Sequence, residues 1–393
     1  MSSPILLPDA ASPRGQPPVH APAAPAQIPA LTSLRFILAV GVVVFHYQVT
    51  MLASGQAPIA LIERARLGVD VFFILSGFVL AHVYGRQICE GRYSHRAFLI
   101  ARLARIYPAH LAVLLGMGLI ASIALALGQA FDQRVYTPSG WLAHLAMIHA
   151  WIPVVPPSEW NGPSWSISAE WAAYLAFPLF AFIGLRNGRN PLLTIAVAAV
   201  VFAACDAFYR WRYGQIITGA DSVLGVVRIP GEFLYGLALQ QISQRLAVTR
   251  RAAIALSLAA TLLVLSLMHA SADERIIVAA SGLLVLSLAL LSQNEADGPL
   301  GHPLALLAGE ASYAIYLVHM PLLVVWKNAV ALLAGTDSSY RMALWEAAVL
   351  LPITLVVGLL LHLLWEAPAR RWVRARFSAA SPSPSSPSSE RHS

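Results

Sequence analysis

Residues 31–51 read LTSLRFILAVGVVVFHYQVTM. The run is long and apolar enough to cross a bilayer, which takes about 20 helical residues. It nevertheless carries Arg35 and His46. Helical residues advance 100° each, so eleven positions return His46 to within roughly 20° of Arg35, about 16 Å further along the axis. One face of the helix thus shows a cation near its start and a titratable imidazole about three turns deeper. Ionisable groups inside a span usually mark a pathway or a site. The competing reading has Arg35 snorkelling to the interface as a topology anchor and His46 bonding a neighbouring helix.

The rest of the 393-residue chain has the same character: 58% of it is hydrophobic and only 11% charged. A soluble domain of this length needs far less apolar surface, so the class is all-α, a polytopic membrane helical bundle. Transmembrane barrels are excluded because the apolar runs are continuous rather than alternating. The net charge of +7 is carried almost wholly by arginine, Lys327 being the only lysine. In such a chain it points to cytoplasmic loops and membrane lipids with anionic headgroups, and to no nucleic acid. Cys89 and Cys205 form no disulfide framework and no metal motif. Residues 1–28 are Pro/Ala-rich and residues 377–393 Ser/Pro-rich. Neither can bury enough apolar area to order itself, so both are expected to be disordered extensions of one membrane domain, 29–376. The first stretch lacks signal-peptide character, which makes the first span an uncleaved anchor.

Eleven apolar segments are apparent: 31–51, 68–84, 106–128, 141–155, 167–185, 191–209, 223–242, 252–270, 275–292, 303–326 and 342–366. Positive-inside counting selects among topologies. If 141–155 crosses, the turn beginning at Arg186, the cluster Arg245, Arg250 and Arg251, and the RRWVRAR tail all lie outside. If it does not, every basic cluster falls inside. The segment is short for a span and holds His144, His149 and Pro153. We therefore expect about ten transmembrane helices, both termini cytoplasmic, with 129–166 a re-entrant or interfacial outer element walling the site.

Further polar residues interrupt the spans. Asp70, Ser76 and Gly77 lie in GVDVFFILSGF; packing and helix N-terminal placement account for them as readily as chemistry does. Arg102 and Arg105 sit three apart before the third span, where two planar guanidiniums on one face can grip phosphates bidentately or anchor the helix. With Arg35 they would offer three cations to a phosphorylated cofactor arriving from the cytosol. In NGPSWSISAEWAAYLAFP, Glu170 lies about two turns into its helix, with Ser166 and Tyr174 four residues away on the same face. GEASYAIYLVHMP carries Tyr313, Tyr316 and His319; Pro321 removes the hydrogen bond to the Leu317 carbonyl and should kink the helix beside the histidine. Glu366, in the terminal WEAPARRW, reads as a stop and an anchor. His46, Glu170 and His319 lack metal-motif spacing, so no metal is invoked, and no Walker loop, dinucleotide fingerprint or GxSxG elbow occurs.

Taken together, these segments resemble the membrane acyltransferase-3 family, which includes O-antigen and exopolysaccharide O-acetylases. The resemblance runs from about Leu31 to Trp372. It rests on a basic residue and a histidine eleven apart (Arg35, His46), the arginine pair in RLARIYP, and GVDVFFILSGF, WSISAEWAAYLAFP and SYAIYLVHMP in that order. It implies transfer of an acyl group, usually acetyl, from acetyl-CoA or another acyl-CoA as co-substrate, with no tightly bound cofactor. The acceptor would be a hydroxyl of a glycan or lipid-linked glycan at a bacterial cytoplasmic (inner) membrane. In that scheme Arg35, Arg102 and Arg105 hold the CoA phosphates. His46 is general base or transient acyl carrier, Glu170 orients or charge-balances it, and His319 completes the catalytic set. Asp70, Ser76, Tyr174 and Tyr316 contact substrate. Some relatives append a soluble SGNH-type domain; its absence here would make acceptor delivery direct or dependent on a separate periplasmic partner. The tryptophan of SAEW stands where relatives often carry a polar residue. The alternative class is a proton-coupled membrane transporter or flippase, disfavoured by the lack of paired broken repeats.

Overall fold

The computed structural model describes residues 27–126, 128, 135–152, 160–185, 190–335 and 340–378. Among these there is no strand. Fourteen α-helices follow in order: α1 (Pro29–Met51), α2 (Ala60–Arg64), α3 (Gly68–Cys89), α4 (His95–Ala126), α5 (Pro138–Leu145), α6 (Trp165–Leu175), α7 (Phe177–Gly184), α8 (Pro191–Tyr213), α9 (Ile229–Arg245), α10 (Arg250–His269), α11 (Glu274–Gln293), α12 (Pro303–Ala334), α13 (Leu344–Leu361) and α14 (Ala367–Ser378). Most of the expected extensions, 1–26 and 379–393, lie outside the described residues. At the inner boundary α14 runs on through Phe377 and Ser378, two residues into the segment expected to be disordered.

Among the described residues, eight helices are long and apolar enough to cross a membrane, or nine when α6 and α7 count as one span. That pair bends by 64°. The cause is local: Pro178 has no N–H to donate to the turn before it, and its ring crowds that turn. The expected segment 223–242 becomes α9, which has 17 residues and begins at Ile229. Its start is delayed because Leu224 adopts a left-handed φ of 59° and residues 225–227 form a 3-10 turn. α9 is buried on most faces, largely by α3 and α8, so it needs no lipid-facing apolar stripe. Segment 141–155 does not cross as a helix in its described part: α5 has eight residues, about 12 Å, and turns back at Met147. Residues 153–155 of that segment lie outside the described residues.

The chain path is fixed by contacts at the two ends of the bundle. At one end the Ala30 N–H donates to Ser292 Oγ and Asp297 Oδ1, both at 3.1 Å, joining α1 to the end of α11. Arg105 of α4 reaches Glu366 at the same end. At the other, the Met342 N–H donates to the Thr50 carbonyl at 3.1 Å, and Arg66 Nη2 donates to Glu274 at 2.6 Å. Arg35 and the arginine pair therefore share one end, and His46 lies toward the other.

Close approach of α3 and α9 requires glycine. A Cβ at Gly77 would collide with the Phe233 carbonyl, and one at Gly236 with the Ile74 carbonyl. Both obstacles are backbone, which cannot rotate aside. We expect Gly77→Val to destabilise the bundle by at least the roughly 1–3 kcal/mol typical of overpacking. Thermal unfolding of detergent-solubilised protein measures this; an unchanged midpoint would refute the helix contact.

Candidate active site

A cavity of about 900 Å3, including its open mouth, runs between α1, α3, α4, α6 and α12. Arg35, Arg102 and Arg105 line it, so α1 and α4 bring together the three cations singled out from sequence. Their surroundings differ. Arg105 is ion-paired with Glu366, whose carboxylate is fully buried, and lies over the Tyr313 ring at 5.8 Å. Arg102 lies over the Tyr84 and Phe98 rings at 5.6 and 5.9 Å and donates to the Tyr84 hydroxyl at 3.4 Å. Its Nε is buried without a hydrogen-bond partner among the described residues. No described carboxylate lies within ion-pair distance of Arg35 or Arg102. Guanidiniums lining a cavity without a carboxylate in range are chemically suited to meet an anion.

Ser76, Glu170 and Tyr174 line the same cavity. The α3 hydroxyl of Ser76 donates to Glu170 Oε1, as does the Tyr174 hydroxyl from one turn along α6, at 2.6 Å. Glu170 does not touch His46, and the expected carboxylate–imidazole pair is absent among the described residues. The register of α6 aims the carboxylate at the cavity and α3, whereas His46 faces α12. Glu170 instead contributes, with Glu366, the negative charge opposite Arg35.

The imidazole partner of His46 is His319. Its Nε2 lies 3.2 Å from His46 Nδ1, with ring centroids 4.9 Å apart. Two carbonyls fix the protons, because a carbonyl can only accept. His319 Nδ1 lies 2.5 Å from the Tyr316 carbonyl and must carry the hydrogen, leaving the Nε2 of the neutral ring as an acceptor. His46 Nδ1 lies 2.9 Å from the Val42 carbonyl, so it too is protonated and is shared between Val42 and His319. The Nε2 of neutral His46 then bears the free lone pair. These protons are assigned from the network. A base positioned through its other nitrogen is the arrangement used in general-base catalysis.

The histidine pair is not part of the cavity wall. Tyr316 separates them: its ring lines the cavity and stands 5.6 Å from His319. Its hydroxyl donates to the Pro163 carbonyl at 2.8 Å and lies 3.0 Å from Ser166 Oγ. His319 is fully buried, and His46 only partly so.

Asp70 is placed elsewhere. In the first turn of α3 it receives Arg228 Nη2 at 2.6 Å and Nε at 3.2 Å, and both residues are buried. Arg228 also donates to the Ala220 carbonyl at 2.8 Å and covers the Trp165 ring at 4.8 Å. Where a substrate contact was expected, Asp70 makes an internal ion pair with Arg228, the residue immediately before α9. Sequence reading missed Arg228 and Glu366. The latter sits in a π-helical turn, His362–Glu366, whose His362 Nδ1 lies 3.0 Å from Glu366 Oε2. A carboxylate four residues after a histidine in an apolar run was the available signal. Such π-turns recur at functional sites.

The acyltransferase domain family, Acyl_transf_3, matches residues 28–363. The chain is 30% identical to the acyltransferase MdmB of Streptomyces mycarofaciens over 391 residues, 91% of this chain and 96% of that protein. It is 27% identical to the exopolysaccharide production protein ExoZ of Rhizobium meliloti over 320 residues, 79% of this chain and 90% of the relative. A shorter match, 23% over 178 residues, links 43% of the chain to 26% of the peptidoglycan O-acetyltransferase OatA of Listeria monocytogenes. No solved structure matches.

Removing one member of a buried pair leaves an uncompensated charge and costs about 3–5 kcal/mol. Asp70→Ala should therefore deplete folded protein in membranes, and adding Arg228→Met should recover most of it. Quantitative immunoblotting with thermal unfolding reads both. Normal stability with lost activity in Asp70→Ala would return Asp70 to a substrate role.

Proposed function

This chain belongs to the acyltransferase-3 family, and we propose that it moves an acyl group, acetyl first among them, from acyl-CoA on the cytoplasmic side to a hydroxyl of a surface or lipid-linked polysaccharide. The observation that carries this reading is a cavity lined by three arginines and by Tyr316, whose ring stands 5.6 Å from His319 of the His46–His319 pair. Acyl-CoA is an anion at one end and a thioester at the other, and the cavity matches that polarity. Arg35 and Arg102 meet the phosphates with free donors; Arg105 exchanges part of its contact with Glu366 for them. The apolar arm lies along Phe72 and Leu80, and Ser76, Glu170, Tyr174 and Tyr316 orient the acyl end.

In the transfer step His46 Nε2 takes the proton of the acceptor hydroxyl. The oxygen attacks the thioester carbonyl, the C–S bond breaks, and the CoA thiolate leaves with the proton returned by the imidazolium. The Val42 carbonyl and His319 Nε2, both acceptors at His46 Nδ1, stabilise the imidazolium while it exists. His319 fills the orienting place first given to Glu170. Asp70 acts through the fold. Polysaccharide is favoured as acceptor because relatives are named for exopolysaccharide production and peptidoglycan O-acetylation. The chain is a multi-pass membrane protein, and its bacterial relatives favour the cytoplasmic membrane. A separate periplasmic protein that presents the glycan fits a chain whose described part is the helical bundle.

Inverted membrane vesicles supplied with labelled acetyl-CoA test the scheme. At equal protein level, His46→Ala should lower transfer to glycan by about 10²–10⁴-fold, the usual worth of a general base. Arg102→Ala should chiefly raise the donor KM, by about tenfold or more for one charged hydrogen-bonding group. Undiminished transfer in His46→Ala, or export without consumption of acyl-CoA, would sink the reading.

A further inference from the structure

Pro321 lies inside α12 and has no N–H, so the Leu317 carbonyl four residues earlier loses its helical donor. The carbonyl is not left bare. Asn161, far away in sequence and 4% exposed, donates to it from Nδ2 at 3.1 Å. Because a carbonyl only accepts, this contact also fixes which way the amide faces. Asn161 opens the 3-10 turn Gly162–Ser164, and that turn is tied down independently. Ser164 Oγ donates to the Asn161 carbonyl at 2.7 Å, and the Tyr316 hydroxyl donates to the Pro163 carbonyl at 2.8 Å. The turn therefore grips α12 on the residues beside His319: Tyr316 by its side chain and Leu317 by its backbone.

We propose that Asn161 is a positioning residue, which supplies the donor missing at Pro321 and so holds His319 in register against His46. The proposal rests on the catalytic reading of the histidine pair, although the hydrogen bond it invokes does not. The imidazole contact at 3.2 Å depends on where the α12 backbone lies at Tyr316, whose carbonyl receives His319 Nδ1. A buried carbonyl with no partner would be met by local unwinding or an inserted water, and either would displace the ring. Displacements of about 1 Å at a catalytic group can cost on the order of 10²-fold in rate.

Two measurements on the full-length chain test this. In the first, Asn161→Ala should lower kcat for acetyl transfer at least tenfold while the donor KM stays within about twofold, since the arginine end is untouched. In the second, thermal midpoints are compared for Asn161→Ala alone and in a Pro321→Ala background, where residue 321 again has an N–H for Leu317. The Asn161→Ala loss should be clear alone and largely absent in that background. If Asn161→Ala does not accumulate by itself, the double variant should. Wild-type kcat in Asn161→Ala, equal midpoint losses in both backgrounds, or failure of both variants to accumulate would overturn the proposal. His319→Ala separates the levels: full transfer there refutes the catalytic reading, whereas its loss beside a normal Asn161→Ala refutes only the positioning.

Discussion

A charge buried in a bundle whose outer surface is apolar must find its counter-charge within the protein, and that requirement registers these helices. The Asp70–Arg228 pair locks α3 to the start of α9 with both partners out of water. Arg105–Glu366 locks α4 to the π-turn that follows α13. At the opposite end Arg64 and Arg66 both meet Glu274, joining the approach to α3 with α11. Desolvation makes an unpaired partner in such places far less stable than a paired one, so a slip of one turn is disfavoured at each lock. Close packing reinforces the registers, because Gly77 and Gly236 bring the α3 and α9 backbones into direct contact.

Against that background the exceptions become informative. Arg35 and Arg102 face the same cavity without a described carboxylate in ion-pair range, and an Arg102 nitrogen is buried without a partner among the described residues. The bundle tolerates them because aromatic faces and the more distant charges of Glu170 and Glu366 offset part of the cost. What remains is positive charge lining a cavity. The histidine pair is arranged differently: each ring has one nitrogen committed to a backbone carbonyl, which leaves a single basic nitrogen on His46. The arginines and the histidine pair thus stand apart, with Tyr316 lining the cavity and its ring 5.6 Å from His319.

Much of this was legible in the residues. The length and continuity of the apolar runs gave an all-α membrane class. Helical spacing put Arg35 and His46 on one face, and Ser166, Glu170 and Tyr174 on another; Tyr174 indeed bonds Glu170 one turn away. Pro321 announced an orphaned Leu317 carbonyl. Legibility failed where the partner came from a remote segment. Asp70 stayed open between a helix N-terminal acid and a chemical role because its partner Arg228 is 158 positions away. Glu366 was read as an anchor because its partner Arg105 is 261 positions away. The start of α9 was not legible because the left-handed φ falls on Leu224 rather than on the neighbouring Gly225.

The sequence by itself therefore determined most helical segments in outline, which faces carry polar groups and which helical carbonyl must lose its donor, because periodicity and proline stereochemistry act within a few residues. Tertiary structure alone decided which polar group meets which: Glu170 with Ser76 and Tyr174, His46 with His319, and the Leu317 carbonyl with Asn161. Those pairings depend on the rotation and axial register of helices far apart in the chain. A local pattern specifies the face that a residue occupies, and only packing of the whole bundle specifies what stands opposite it.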